Sequence, residues 1–409
     1  MRLSKLFTST TRENPAGEVS TNAKLLERGG FVYKNSAGVY TFLPLGWRVA
    51  TKISNIIREE MNAIGGQEIF MPALVEKKYL DTTGRWDVEI GFKIGEGKEE
   101  ASQSQFVLGW THEEVITEIA TKFINSYKDL PFSAYQIQTK FRNEPRAKSG
   151  LLRGREFMMK DLYSFHANEK DMLDFYGKVK DAYMKIFKRC GLNAYYTIAA
   201  GGDFTAQNTH EFQVLSDVGE DTIFVCSKCE YAENQEISKL KDKCPNCDGE
   251  IIEKKSIEVG NIFPLGTKYS DAFNLKYSDE KGEKHAVVMG SYGIGIGRVM
   301  GTVTEVSYDD KGILWPEEIA PYRVYFVDLT KEGKGEKIYS DLLEQNIDIL
   351  YDDRTDKTAG EKFADADLIG CPLRIVVSDK TSEKNQVEIK KRNESEFKLV
   401  EIEKLGEEI

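Results

Sequence analysis

The sequence predicts an α+β protein with an antiparallel sheet in its first part and a small α/β domain at its C-terminus. Residues 135–166 form two segments of alternating character separated by a basic, glycine-rich tip, which indicates a long antiparallel hairpin. From Ile319 onward, short strands and helices alternate, as is typical of parallel strands joined by crossover helices. Between these regions lie two Cys-x-x-Cys pairs, which favour a small metal-bound insert.

The length and composition fit a globular protein of several domains. The chain has 409 residues, of which 40% are hydrophobic and 30% charged, and this length suggests two or three domains. Its net charge of −11 argues against indiscriminate binding to nucleic acid, which needs many uncompensated Lys and Arg residues. The sequence has no apolar run of membrane-spanning length, and the first residues lack an apolar signal core. We therefore expect a cytoplasmic protein that does not associate with membranes.

The first hundred residues predict helices and hairpins. A short helix and a hairpin are expected within residues 22–44, and apolar residues at helical spacing predict a helix over 46–64. A strand over 67–72 then closes on Pro72. Further along, Thr111-His112-Glu113-Glu114 opens another predicted helix. Thr111 and Glu114 have the spacing of a capping box, while Glu113 and the Thr111 hydroxyl could instead bind a protonated amine.

The central hairpin carries side chains suited to a purine nucleoside triphosphate. Arg142 and Arg153 offer planar donors for phosphate oxygens, Glu144 can accept from an exocyclic amine, and Phe157 supplies a ring for stacking. The alternative is a charged surface hairpin without a ligand.

The part of the chain after the hairpin contains an amphipathic helix over 169–190 and then the string THEFQ. His210 in this string is either a buried, hydrogen-bonded core residue or a site residue. Four cysteines follow with the spacing of a tetrahedral zinc site: Cys226, Cys229, Cys244 and Cys247. A redox pair is the alternative. An all-cysteine site is closed, so a structural role is expected.

Residues 284–306 predict a strand, a glycine-rich turn and a helix. The turn has the pattern GxGxG and is followed by Arg298. The third glycine of a dinucleotide-binding fingerprint is missing, which argues against a Rossmann fold. Bare backbone at Gly295 would let a ligand approach closely.

Taken together, these motifs resemble those of the class II aminoacyl-tRNA synthetases. Arg142-Asn143-Glu144 with Arg153 and Phe157 is similar to the second class II motif, and the turn at Arg298 is similar to the third. The predicted helix and strand ending at Pro72 resemble the first motif, which implies a homodimer. The resemblance implies ATP as substrate: Arg142 at the α-phosphate, Arg153 and Arg298 at the outer phosphates, and Glu144 and Phe157 at adenine. Mg²⁺ should bridge phosphate oxygens.

The string THEE ahead of the second motif resembles the prolyl-tRNA synthetase family in particular. In that family the Thr and the Glu two residues later hold the imino group of proline, roles that the resemblance assigns to Thr111 and Glu113. It also implies that Arg142 contacts the proline carboxylate and that His210 and Ser291 border the proline pocket. Trp110 departs from the Pro that usually precedes this Thr. Proline and tRNA(Pro) are the implied substrates.

The resemblance also predicts how the chain divides into domains. The inserted editing domain that often follows a Tyr-Ala-x-Asn string is absent, since only residues 235–257 separate Asn234 from the next family pattern. The C-terminus resembles the anticodon-binding domain of class IIa synthetases. The predicted domains are a catalytic domain in two parts, 1–225 and 257–318, a zinc-ribbon-like insert, 226–256, and an anticodon-binding domain, 319–409.

Three alternatives remain open at this stage. Threonyl- and glycyl-tRNA synthetases share the architecture, although threonine selection relies on an open catalytic zinc that two Cys-x-x-Cys pairs do not supply. A synthetase-like module could bind RNA or nucleotide without catalysis, but such relatives typically lose the motif arginines. The C-terminal domain could also be a scaffold, because its acidic residues outnumber its basic ones.

Overall fold

The computed structural model describes residues 1–94, 105–202, 205, 209–240 and 242–409. The chain folds into two compact units. One unit consists of Met1–Asn35, Tyr40–Lys52 and Val303–Ile409, and the other of Ser36–Val39 and Ile53–Thr302. The N-terminal residues thus fold with the C-terminal domain, a grouping that the predicted domain boundaries did not include.

The N-terminal region contains mostly short elements around one long helix. In chain order the elements are α1 (Thr21–Arg28), β1 (Val32–Ser36), β2 (Val39–Phe42), α2 (Pro44–Ala63), β3 (Gly66–Glu68), β4 (Leu74–Glu76), α3 (Lys77–Thr83) and β5 (Phe92–Ile94). The helix predicted over 46–64 is confirmed as α2. The strand predicted over 67–72 is shorter, because side chains of Gln136 and Gln138 take the place of strand partners and bond the backbone N–H and C=O of Met71.

The central region contains the predicted hairpin and the helix that follows it. Its elements are β6 (Phe106–Leu108), α4 (Glu113–Phe123), β7 (Phe132–Phe141), β8 (Glu156–His166), α5 (Glu169–Arg189) and β9 (Ala194–Ala199). Strands β7 and β8 pair antiparallel along their whole length, from Phe132 opposite Phe165 to Phe141 opposite Glu156. The hairpin prediction is therefore confirmed, with residues 142–155 at its tip.

The remainder of the larger unit is mainly strand. The elements are β10 (Thr209–Leu215), β11 (Asp221–Cys226), β12 (Ala232–Asn234), β13 (Ile251–Gly266), α6 (Lys268–Ala272), β14 (Lys276–Ser278), β15 (Lys284–Ala286), β16 (Val288–Gly295) and α7 (Ile296–Val306). Nine strands form one sheet in the order β10-β9-β12-β11-β13-β16-β8-β7-β3, and β10 also pairs with β13. The pairs β3–β7 and β9–β12 are parallel and the other strand pairs of this sheet are antiparallel.

The register of this sheet decides which side chains share a face, because directly opposed residues on antiparallel strands project to the same side. Glu211 lies opposite Asn261, Asn261 opposite Gly293, and Gly293 opposite Asp161. This row crosses four neighbouring strands on one face. Helix α5 covers the other face, where Tyr183 packs against Phe212 with ring centroids 5.0 Å apart.

The C-terminal domain has the predicted alternation of strands and helices. It contains β17 (Val324–Asp328), α8 (Gly335–Glu344), β18 (Ile349–Asp352), α9 (Ala359–Ile369), β19 (Leu373–Val377), α10 (Asp379–Ser382), β20 (Gln386–Lys391) and β21 (Lys398–Glu401). Strand β17 pairs in parallel with β18 and β19, as expected, whereas β20 pairs antiparallel with β19 and β21. The core is aliphatic and aromatic, with Val324, Phe326, Ile375 and Val377 at its centre.

Among the helices of the described residues, none is both long and apolar enough to cross a membrane.

Candidate active site

A cleft of about 320 Å³ opens on the face of the large sheet opposite α5. Strands β8, β11, β13 and β16, the start of α7 and the hairpin tip supply its walls. The volume falls within the range of small-molecule sites. The predicted nucleotide-binding residues all line this one cleft: Arg142, Glu144, Arg153, Phe157, Gly295 and Arg298. These residues are far apart in the chain. They converge because β13, β16 and β8 are neighbouring strands of the sheet.

Arg142 follows the last residue of β7 and is held by a backbone hydrogen bond from its N–H to the Arg155 carbonyl, 2.8 Å away. Its guanidinium lies over the Phe157 ring, 5.2 Å from the centroid, and its Nη2 lies 3.5 Å from the Trp110 carbonyl oxygen. Burial and the positive charge of Arg298 lower the pKa of Arg142. A guanidinium held near a second one, with partial burial, favours an anionic ligand.

Glu144 and Arg153 form an ion pair across the hairpin tip. Arg153 Nε lies 3.0 Å from Glu144 Oε2, and Arg153 Nη1 also donates to Glu220. Burial opposes ionisation of Glu144, but the Arg146 N–H and the Arg153 guanidinium together lower its pKa. The carboxylate is therefore charged and keeps acceptor capacity in the cleft.

Arg298 lies in the first turn of α7 and reaches across to both walls of the cleft. Its Nε donates to the Leu152 carbonyl at 2.9 Å, and its Nη1 donates to the Glu258 carbonyl at 3.0 Å and to Glu258 Oε2 at 3.2 Å. Next to it, a Cβ on Gly293 would lie 2.9 Å from Asn261 Oδ1. The floor of the cleft between these groups is therefore bare backbone.

The THEE string does not form the capping box that its spacing allows. Helix α4 begins at Glu113 with His112 as its N-cap, and the cap has no side-chain hydrogen bond. The Thr111 hydroxyl instead donates to Glu113 Oε2, while Ser291 Oγ donates to Glu113 Oε1 over 3.1 Å. The structure thus brings Thr111, Glu113 and Ser291 together around one buried carboxylate, which is 1% exposed.

His210 does not join this group. It lies opposite Ile262, which lies opposite Tyr292, so its side chain projects to the face that α5 covers. Its ring stacks on Tyr196 with centroids 4.2 Å apart, and its Nδ1 lies 2.9 Å from the Tyr176 hydroxyl. The structure thus places His210 on the face covered by α5 and not beside Glu113, where the proline pocket was predicted.

The neighbour of His210 is the residue that faces the cleft side. Glu211 approaches Glu258 and Asp221, and burial together with the Glu258 charge raises the pKa of Glu211 to about 8. Burial also raises the pKa of Asp221, and both Asp221 and Glu258 line the cleft. Our sequence analysis missed these carboxylates. The alternation of side chains along β10 could have indicated Glu211. It could not be used, because the sequence does not say which residues of the strand face the cleft and which face α5.

The four predicted cysteines come together at the end of β11 and the start of the following turn. Each offers a sulfur, and the four sulfur atoms lie within 4.8 Å of one another. Backbone N–H groups of Lys228 and Cys229 donate to Cys226 Sγ at 3.3 and 3.5 Å. Burial opposes ionisation of Cys226, but these N–H donors lower its pKa to about 6. Donors of this kind favour thiolates, the form in which cysteine binds a metal.

Comparison with known proteins agrees with this geometry. Residues 92–307 match the model of the tRNA synthetase class II core domain (G, H, P, S and T), and residues 324–409 match the anticodon binding domain. A proline--tRNA ligase of Agrobacterium fabrum is 38% identical over 438 residues, covering 98% of each chain. Another from Dehalococcoides mccartyi is 32% identical over 562 residues, covering 100% of this chain and 98% of the relative. This chain belongs to the proline--tRNA ligases.

Solved structures of this family share the fold. A prolyl-tRNA synthetase from Cryptosporidium parvum, complexed with halofuginone and AMPPNP, superposes with a TM-score of 0.78 at 18% identity over 95% of this chain and 73% of that one. The Giardia lamblia enzyme in complex with prolyl-adenylate gives 0.76 at 18% identity over 94% and 75%. The alignment with the Dehalococcoides ligase spans 562 positions although this chain has 409 residues, so this chain is a short form of the family.

Proposed function

We propose that this protein activates proline with ATP, forming prolyl-adenylate and pyrophosphate, and then transfers the prolyl group to the terminal adenosine of tRNA(Pro). The observation that carries the proposal is the convergence of Arg142, Arg153 and Arg298 in one cleft. Membership of the proline--tRNA ligases supports the same reaction. We also propose a cytoplasmic location, since these substrates serve translation.

The proline carboxylate attacks the α-phosphorus of ATP, and the chain's own groups position the two. Arg142 contacts the α-phosphate and the proline carboxylate, which brings the reacting atoms together and offsets the charge that develops on the α-phosphate. Arg153 and Arg298 bind the outer phosphates. Glu144 accepts from the adenine amine, Phe157 stacks on the base, and the bare backbone at Gly295 leaves room for the nucleotide.

Proline is recognised by its protonated imino group. Glu113 is the anionic acceptor, the Thr111 hydroxyl is oriented by its bond to Glu113, and Ser291 borders the ring of proline. A buried carboxylate oriented by two hydroxyls suits a secondary ammonium, because ionic hydrogen bonds in a site of low dielectric are strong.

The carboxylates of Glu211, Asp221 and Glu258 are the ligands that we propose for magnesium. They are hard oxygen donors, and burial together with the Glu258 charge raises the pKa of Glu211, which a divalent cation would oppose. Mg²⁺ bound here would supply charge for the departing pyrophosphate. The four cysteines likewise fit Zn²⁺ in a closed structural site.

Two macromolecular partners complete the proposal. The C-terminal domain reads the anticodon of tRNA(Pro), as its match to the anticodon binding domain supports. A second copy of the chain covers the exposed apolar side chains of Phe70 and Leu74, which follow β3, in a homodimer. Light scattering should give twice the chain mass of 46.4 kDa, and a mass of one chain would exclude the dimer.

Amino-acid-dependent exchange of pyrophosphate into ATP tests the function. Proline should support exchange, while alanine, cysteine and threonine should give far less at equal concentration. Exchange with threonine or glycine in place of proline would favour the related synthetases. Nucleotide binding without exchange for any amino acid would favour a non-catalytic module.

A further inference from the structure

The proposed proline site contains a second buried glutamate next to the first. Glu113 and Glu114 are consecutive and each is 1% exposed. They point to different partners: Glu113 accepts from Thr111 and Ser291, whereas Glu114 Oε1 accepts from Thr83 Oγ1 at 2.8 Å. Two adjacent buried carboxylates repel each other, and burial together with the Glu113 charge raises the pKa of Glu114.

One guanidinium lies between these carboxylates. Arg85 Nη1 lies 2.8 Å from Glu114 Oε1 and 3.6 Å from Glu113 Oε2. It also donates to the Tyr269 hydroxyl at 3.0 Å, and its side chain is only 12% exposed. By these distances Arg85 pairs more closely with Glu114 than with Glu113. The Arg85 charge accordingly opposes the rise in the pKa of Glu114.

The backbone around Arg85 fixes this position. Helix α3 ends at Thr83, and its C-cap Gly84 has a φ of 69°, in the left-handed region. The Arg85 N–H then donates to the Leu80 carbonyl at 2.8 Å. The guanidinium carbon then lies 5.9 Å from the ring centroids of both Trp110 and Tyr269. Trp110, which stands where the family usually has proline, is thus part of the wall that holds Arg85.

The charge balance of the pair has a functional consequence. A cation that paired directly with Glu113 would compete with the imino group of proline for that carboxylate. Because Arg85 pairs with Glu114 at 2.8 Å, Glu113 keeps its two hydroxyl donors and stays available to proline. The other titratable groups close to Glu113 are His112, Lys140, Arg142 and Tyr163, and they belong to the same buried surroundings.

We propose that Arg85 is a positioning residue for proline recognition: it takes Glu114 as its ion-pair partner and so leaves the Glu113 carboxylate held by Thr111 and Ser291 and oriented for the imino group. This inference rests on the proposed function. Arg85 itself does not contact the reacting atoms, and its effect should appear in the affinity for proline rather than in the affinity for ATP.

The test is a double-mutant cycle on Arg85 and Glu114, read as KM for proline, KM for ATP and kcat in pyrophosphate exchange. Arg85→Gln should raise KM for proline about tenfold or more, with KM for ATP changed less than about twofold. Glu114→Gln should also raise KM for proline, because the freed Arg85 would pair with Glu113. The double variant removes one charge of each sign, so its KM for proline should fall below that of either single variant.

Arg189→Gln is the matched control. Arg189 also bridges two consecutive glutamates, with 2.8 Å to Glu59 Oε2 and 3.1 Å to Glu60 Oε1, but it does not line the cleft. This variant should keep both KM values, and Arg85→Lys, which keeps the charge, should recover most of the affinity for proline. If Arg85→Gln does not fold, the Glu114→Gln variant alone still gives the predicted rise.

Three results would overturn the inference. They are an unchanged KM for proline in Arg85→Gln or Glu114→Gln, equal rises in KM for proline and ATP, and a double variant worse than both single variants. Failure of the proposed function itself looks different, because the unaltered protein would then show no proline-dependent exchange.

Discussion

At the scale of single residues, Arg142 is the group on which the proposed chemistry depends most. Its guanidinium lies on the Phe157 ring, and burial together with the nearby positive charge of Arg298 lowers its pKa. Arg153 and Arg298, by contrast, already have carboxylate partners in Glu144, Glu220 and Glu258. Arg142 is thus the guanidinium of the three whose surroundings most favour a new anion, which suits the α-phosphate.

Replacing Arg142 by alanine should therefore remove most of the activity. We expect proline-dependent pyrophosphate exchange to fall by about 100-fold or more, on the order of 3 kcal/mol of transition-state stabilisation. Arg58→Ala serves as the control, since Arg58 pairs with Glu68 on the surface. Near-normal exchange in Arg142→Ala would remove the central assignment of the site.

The acidic residues of the cleft lead to a second prediction at this scale. If Glu211 helps to hold Mg²⁺, Glu211→Gln should raise the magnesium concentration needed for half-maximal exchange by roughly tenfold. Glu233→Gln is the control, because Glu233 lies on β12 of the same sheet and accepts a hydrogen bond from the Tyr231 hydroxyl. An unchanged magnesium requirement in Glu211→Gln would exclude Glu211 as a ligand.

The contrast between His210 and Glu211 shows what the sequence could not supply at this scale. Arg142, Glu144, Arg153 and Arg298 were predictable because each lies in a motif with fixed spacing. On β10, a shift of one residue moves every side chain to the other face, and only the pairing of β10 with β13 settles which face is which. The role of Arg85 could not be predicted from the sequence either, because its partners Glu114 and Tyr269 are remote from it in the chain.

At the scale of elements, hydrophobic periodicity predicted the long helices well, and hydrogen bonding by side chains explains the deviations. Helices α2 and α5 lie within a residue or two of their predicted bounds. The strand after α2 ends early because Gln136 and Gln138 bond the backbone of Met71. Helix α4 begins without its predicted cap because Thr111 donates to Glu113 instead. Both deviations lie beside the candidate site, where polar side chains compete with regular structure.

The cysteine cluster gives a prediction for the element that joins β11 to β13. Metal analysis of the purified protein should find one zinc per chain, and Cys229→Ser should lose it and lower Tm by several degrees, because metal binding contributes to folding. Cys190→Ala is the control, since Cys190 lies at the end of α5 away from the cluster. A Cys229→Ser protein with full zinc content, or an unaltered protein without zinc, would contradict this assignment.

At the scale of the whole molecule, two matched domains account for most of the chain. The class II core and the anticodon binding domain account for residues 92–307 and 324–409. The N-terminal residues also join the C-terminal unit; for example, the Met1 amino group donates to the Ile349 carbonyl at 3.0 Å. Such contacts between the two ends of a chain carry no local pattern, which is why the sequence did not predict this grouping.

The short form of the chain leads to the last prediction. Between Asn234 and Glu258, where the resemblance to longer synthetases led us to look for an inserted domain, this protein has Cys244, Cys247 and the start of β13. Alignment with the Agrobacterium ligase spans 438 positions, close to the length of this chain, while the Dehalococcoides ligase needs 562. We therefore expect that the protein cannot hydrolyse alanyl-tRNA(Pro).

Hydrolysis of preformed alanyl-tRNA(Pro) by the purified protein measures this directly. The ester should decay at the rate seen in buffer alone at every protein concentration, because an unassisted ester in water lacks a positioned nucleophile. Mild alkali, which cleaves any aminoacyl ester, is the positive control for the assay. A decay rate that rises in proportion to protein would show that the protein contains a hydrolytic site. In that case the absence of an inserted domain would not prevent this protein from removing mischarged alanine itself.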